Sequence, residues 1–127
     1  MDQQLILQLS YLERRKQELS ENLNNLDSQT IDLESFSKDI EYLDSFKGKD
    51  TVASLGRGVY IPSQITDKKL FIEVGAGIVL RKTPKEAKEI IETQIQRLKL
   101  TRSQILTEID SCNSEFEEII STIRQSQ

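Results

Sequence analysis

Leucine or isoleucine returns every seventh residue along the first third of the chain: Leu5, Leu12, Leu19, Leu26, Leu33 and Ile40. Leu9 and Leu23 fill the companion positions, and Lys16 and Thr30 put polar groups at equivalent places. This is the heptad of a coiled-coil seam. No Gly or Pro interrupts residues 1–47, so the spacing predicts one long helix there. Beyond Leu33 the companions become Phe36 and Leu43, a three-residue phase shift that predicts local overwinding. A second stripe alternates steps of four and three through Ile91, Ile95, Leu98, Arg102, Ile105, Ile109, Cys112, Phe116, Ile119 and Ile123. It predicts a helix over 84–126, started by Thr83 as N-cap, Pro84 at the first helical position and Glu86 completing a capping box.

Residues 51–82 obey a different rule. They hold four of the five glycines, one of the two prolines and short runs rich in β-formers. Strands are expected near 51–55, 59–61, 70–74 and 78–81, with Gly56-Arg57-Gly58 and Gly75-Ala76-Gly77 as tight hairpin connections. Gly48 marks the stop of the first helix, and Pro62 with Thr66-Asp67-Lys68-Lys69 marks the link between hairpins. Two helices of similar length, each about 65 Å by helical rise, then return on each other antiparallel, with both chain ends at one distal tip.

The expected fold class is therefore mainly α with a small β insert. It is a long antiparallel two-helix coiled coil joined by two β-hairpins that pair with other subunits, within one domain over 1–127. Pairing is expected because Val52, Leu55, Val59, Ile61, Leu70, Ile72, Val74, Ile78 and Leu80 exceed what one small sheet can hide. They are the candidate oligomerisation residues. At the distal tip, Leu5, Ile6, Leu7, Leu9, Phe116, Ile119, Ile120 and Ile123 are more apolar residues than a seam needs. Ile6, Leu7, Tyr11 and Ile120 fall outside the strict seams, so this group either forms a sticky surface for other chains or broadens the local packing. The polar seam residues Lys16, Thr30 and Arg102 read as register devices, as snorkelling side chains, or as groups tolerated near solvent.

Composition narrows the chemistry. Of the 127 residues, 36% are hydrophobic and 30% charged, thin for a central core but suited to helices that each bury a narrow stripe. The net charge is −4, with 11 acids and 6 bases in residues 1–50, 2 and 5 in 51–82, and 8 and 6 in 83–127. Without a concentrated basic stripe, nucleic acid is not expected as a partner. There is no histidine and one cysteine, Cys112, which sits on the second seam as a small buried hydrophobe. Neither a Cys/His nucleophile nor a zinc site can be assembled. Gly75-Ala76-Gly77 lies between strands and opens no helix, so no nucleotide site or cofactor is expected, nor is an enzyme. Glu108, Asp110, Glu115, Glu117 and Glu118 form either a solvated helix face or a surface that repels or orients a partner. No leader pattern and no run of about 20 apolar residues is present, so a cytoplasmic protein with no membrane partner is expected.

Ser54-Leu55-Gly56-Arg57-Gly58-Val59-Tyr60-Ile61-Pro62 and Ile72-Glu73-Val74-Gly75-Ala76-Gly77 resemble the conserved hairpin segments of the prefoldin family. Two hairpins rather than one resemble its alpha class, and Arg81-Lys82 departs from the acidic residue that many members carry there. The resemblance implies a hexamer with prefoldin beta subunits, two alpha and four beta. It also implies capture of unfolded client proteins at the coiled-coil tips, without ATP, and delivery to a group II chaperonin. The alternative is a structural coiled-coil scaffold or a filament-forming prefoldin-like protein, whose strands pair with copies of itself.

Overall fold

The computed structural model describes residues 3–125, which run in the order α1 (Gln3–Ser45), β1 (Asp50–Gly56), β2 (Val59–Gln64), β3 (Leu70–Gly75), β4 (Ile78–Lys82) and α2 (Pro84–Gln125). The four strands make two separate antiparallel pairs, β1 with β2 and β3 with β4. The chain divides into two compact units. A terminal unit joins Met1–Asp32 to Ile95–Gln127, and a hairpin unit comprises Leu33–Gln94.

In the terminal unit the helices are antiparallel. Arg15 Nη2 donates to both carboxylate oxygens of Glu108 at 3.1 and 3.3 Å, and Arg102 Nε donates to Asp27 Oδ1 at 2.9 Å. Rising numbers on α1 thus meet falling numbers on α2. Leu12, Leu19 and Leu26 are buried on α1 and Ile95 on α2, while the remaining apolar seam residues are half-buried. That is the yield of a two-stranded seam, which has no third layer to seal it. The polar seam positions resolve individually. Thr30 turns its hydroxyl onto the Leu26 carbonyl at 2.9 Å, Arg102 reaches out to Asp27, and Lys16 is exposed. Exposed ion pairs of this kind stabilise by well under about 1 kcal/mol each, so leucine burial holds the unit and the charges favour one register.

In the hairpin unit the seam departs from expectation. Ser37, not Phe36, continues the stripe from Leu33 to Ile40: Ser37 is 6% exposed and Phe36 53%. Ala87 and Ile91 are likewise buried on α2 in this unit, and a serine is invisible to a search for apolar periodicity. The three-residue shift placed after Leu33 is therefore absent there. Phe36 lies off the seam, facing a groove against the hairpins.

Helix α1 ends at Ser45, two residues before the predicted end. Its last carbonyls are capped from a distance: Lys68 Nζ donates to the Asp44 carbonyl at 3.1 Å and also to the Phe46 carbonyl. A cation at this terminus satisfies orphan acceptors and complements the helix dipole. Gly48 is not a left-handed cap. A Cβ there would lie 2.7 Å from the Phe46 ring, so a larger residue would require that ring to shift. Pro62, expected in the link, lies inside β2 opposite Val52. It is tolerated because β2 is hydrogen-bonded on one side only.

Both hairpins turn in the same way. Arg57 (φ 53°) with Gly58 (φ 79°), and Ala76 (φ 52°) with Gly77 (φ 74°), are two-residue loops with both residues left-handed, the geometry that matches strand twist. Each loop follows a bulge, between Ser54 and Gly56 or between Glu73 and Gly75. Leu55 and Val74 are the extra residues, so the hairpins repeat one local design.

The start of α2 carries a complete capping box. The Glu86 N–H donates to Thr83 Oγ1 at 3.2 Å, and Glu86 Oε1 accepts from the Thr83 N–H at 3.2 Å and from its hydroxyl at 3.0 Å. Those two Thr83 bonds, backbone first, hold the Glu86 carboxyl below its ordinary range, with Lys82 reinforcing. A depressed carboxyl stabilises the fold when ionised. Its contribution is complete above the ordinary value of 4.5 and is lost as pH falls through the lower folded value. Thr83→Ala should cost about 1 kcal/mol at neutral pH, read by urea unfolding at fixed chain concentration. Glu86→Ala should also destabilise at neutral pH, and its deficit relative to the parent should fade in acid. An unchanged deficit at the lowest pH would contradict the capping role.

Candidate interaction surfaces

Two sets of side chains were expected to meet other molecules, and the structure places them in different environments. Alternation along a strand sorts each hairpin into two faces. In the first, Thr51, Ala53, Val59 and Ile61 share one face, and Val52, Ser54, Tyr60 and Pro62 the other. In the second, Ile72, Ile78 and Leu80 share one face, and Phe71, Glu73, Val79 and Arg81 the other. Of the nine candidate residues, Val52, Leu55, Val59, Ile61, Val74, Ile78 and Leu80 are exposed, and Leu70 and Ile72 are half-buried.

The half-burial of Leu70 and Ile72 has a local cause. Both line a groove of about 270 Å³ whose other walls include Phe36, Ile40 and Ile91. A neighbouring groove of about 420 Å³ is lined by Phe36, Tyr42, Leu43, Phe46, Ile65 and Leu70 among others. The hairpin residues nearest the helices are thus partly covered, whereas those beside the turns are exposed.

Three exposed residues of the same surfaces escaped the sequence reading: Tyr60, Phe71 and Val79. Large exposed apolar residues thus occur on both faces of each hairpin. Arg81 stands 5.8 Å from the centre of the Phe71 ring, its cross-strand partner, and also binds Asp67. Asp67 accepts the Lys69 N–H at 3.0 Å, and that bond, assisted by Arg81, holds its carboxyl below the ordinary range. With Lys68 on the end of α1, these contacts order the link between the hairpins.

Each of the four strands is hydrogen-bonded to one neighbour only, leaving an outer edge on every strand. Exposed apolar faces next to unpaired edges are the geometry of strand pairing between chains.

Near the two chain ends, within the terminal unit, Leu5, Leu9, Phe116, Ile119, Ile120 and Ile123 are half-buried, while Ile6 and Leu7 are exposed, as is Tyr11. The first six belong to the seam or its margin, and the last three face outward. Cys112 is half-buried on the seam. Among the described residues no group of three or more His, Cys, Asp or Glu side chains converges on a metal-sized site, and no helix is long and apolar enough to cross a membrane.

The described residues thus form two long helices and, between them in sequence, two small hairpins with open outer edges. The prefoldin family model, described as prefoldin subunit, matches residues 10–127, and the chain belongs to that family, in its alpha class. Prefoldin subunit alpha 2 of Thermococcus kodakarensis is 33% identical over 82 residues, covering 64% of this chain and 58% of that protein. Prefoldin subunit alpha of Nitrosopumilus maritimus is 26% identical over 99 residues, covering 77% and 68%. Prefoldin subunit alpha of Methanosphaera stadtmanae is 15% identical over 91 residues, covering 72% and 66%. The chain thus spans about three fifths to two thirds of the length of these curated relatives. A chain of the filamentous PFD from Methanocaldococcus jannaschii, solved by cryo-EM, shares the fold. Its TM-score is 0.81 at 18% identity, over 91% of this chain and 97% of that one.

Proposed function

We propose that this chain is the alpha subunit of a nucleotide-independent holding chaperone. Its hairpins assemble with beta-class prefoldin subunits into a hexamer of two alpha and four beta. The ends of its helices hold unfolded proteins and pass them to a group II chaperonin. The observation that carries this reading is the pair of hairpins with both faces apolar and exposed and every outer edge unpaired. An isolated two-stranded hairpin is marginal in water, so these strands need partners. Family membership supports other prefoldin subunits as those partners. Client capture rests on the apolar residues at the chain ends, foremost the exposed Ile6 and Leu7. Contacts worth roughly 0.8 kcal/mol per buried CH₂, repeated over several subunits, hold a client by multivalency without a rigid pocket. Release then follows from transfer to a competing surface and requires no nucleotide. Such a complex acts in the cytoplasm.

A second reading, a filament-forming scaffold, is favoured by the match to a filamentous prefoldin chain. In that case the strands pair with copies of the same chain and the helix ends matter little. Size exclusion with light scattering separates the two: the chaperone reading predicts a discrete hexamer only when a beta-type subunit is added, and the scaffold reading predicts open-ended growth of the chain alone.

Ile61→Asp combined with Ile78→Asp alters side chains already exposed in the single chain. It should therefore change the chain's urea midpoint by no more than about 0.5 kcal/mol equivalent. It should nevertheless prevent assembly, because a buried unpaired charge is costly. A full-size complex formed by this variant would reject strand pairing. For client capture, deleting residues 1–11 and 117–127 from alpha, with matched deletions in beta, should leave the complex assembled. It should also abolish suppression of aggregation when a denatured client is diluted into the complex. Full protection by the truncated complex would move capture away from the helix ends.

A further inference from the structure

Along one flank of the terminal unit, Leu7, Tyr11 and Arg15 follow each other at intervals of four and so form one row on α1. Leu7 is 70% exposed and Tyr11 65%. The ion pair from Arg15 to Glu108 fixes which side of α2 borders this row. Glu115, two turns beyond Glu108, and Glu118, three residues further, continue along that side. Both are exposed. Arg15, the cation of this row, is committed to Glu108 and, at 3.6 Å, to Glu18. Glu108, the carboxylate that accepts it, raises the Arg15 pKa, first through the hydrogen bond and then through its charge. Among the described residues, Glu115 and Glu118 form no ion pair. From residue 108 to 118 α2 carries five acids and no base.

An apolar row bordered by uncommitted carboxylates is complementary to an extended chain that alternates apolar and cationic side chains. We propose that the helix ends select among unfolded polypeptides, preferring segments in which lysine or arginine accompanies large apolar residues. Leu7 and Tyr11 take the apolar groups, and Glu115 and Glu118 take the cations. Acidic segments of equal hydrophobicity are repelled. This rests on the chaperone reading above and names the substrate class of that same surface. It also assigns the acidic stretch of α2 a part in binding, where solvation alone would leave every unfolded segment equivalent. Because the charges are exposed, the preference should be modest and salt-dependent.

The test uses the assembled complex and three fluorescent peptides with identical leucine and phenylalanine positions, whose intervening residues are lysine, serine or glutamate. By fluorescence anisotropy at low ionic strength, the lysine peptide should bind about fivefold or more tightly than the glutamate peptide. The ratio should approach one in 1 M salt. Glu115→Gln with Glu118→Gln should shrink the ratio at low salt, and Leu7→Ser with Tyr11→Ser should weaken all three peptides. Helical circular dichroism and size exclusion verify that each variant is folded and assembled. Equal binding of the three peptides at low salt, or a ratio untouched by the glutamine variant, would overturn the selectivity while leaving client capture in place. Absence of binding for every peptide would overturn both.

Discussion

Two-stranded hairpins cannot bury both of their faces, and this chain has two of them with apolar side chains on every face. The shortage of cover organises the rest of the molecule. Ile72 and Leu70 find partial shelter against Phe36, Ile40 and Ile91, but Val59, Ile61, Val74 and Ile78 find none. A chain of this size could have wrapped a helix over the hairpins. Instead, nearly all of its helical residues are spent on α1 and α2, whose seams face each other in each unit. The consequence is a β-region whose hydrogen-bonding edges and apolar faces stay available to other chains.

The link between the hairpins shows how order is maintained under that constraint. Lys68 binds carbonyls at the end of α1, Asp67 receives the Lys69 N–H and Arg81, and Arg81 lies near Phe71. These contacts tie β3 and β4 to the helix end with little apolar burial. They are mostly exposed, and each contributes modestly. Together with the paired left-handed turns they position the two hairpins while leaving their faces uncovered. The terminal unit follows the opposite economy, with a narrow leucine seam inside and charges outside.

Much of this was legible in the sequence because its signals are local. The heptad stripe, the capping box at Thr83 and Glu86, and the two Gly-x-Gly loops each follow from residues a few positions apart. What escaped depends on distant partners. Ser37 is buried on the seam, and no apolar periodicity marks a serine. Lys68 caps a helix more than twenty residues upstream, which its polar neighbourhood does not announce. Tyr60, Phe71 and Val79 lie within the expected strands, and no local signal separates an apolar strand residue that stays exposed from one that finds cover. Of the distal residues, Ile6 and Leu7 face solvent, whereas Leu5, Leu9, Phe116 and Ile123 are shared with the seam. Heptad positions alone cannot divide those roles near the end of a thin coil.

The central claim is that strand edges and faces left open by the single chain are closed by other subunits. Amide hydrogen exchange across residues 50–64 and 70–82 tests it most directly, comparing the chain alone with the chain assembled with a beta-type partner. In the single chain, outward-pointing amides of β1 to β4 should exchange rapidly, since among the described residues no strand has a neighbour on its outer side. On assembly, protection should appear throughout these strands, while the midsections of α1 and α2 change little. A complex of full size whose strands exchange as fast as in the single chain would contradict the account.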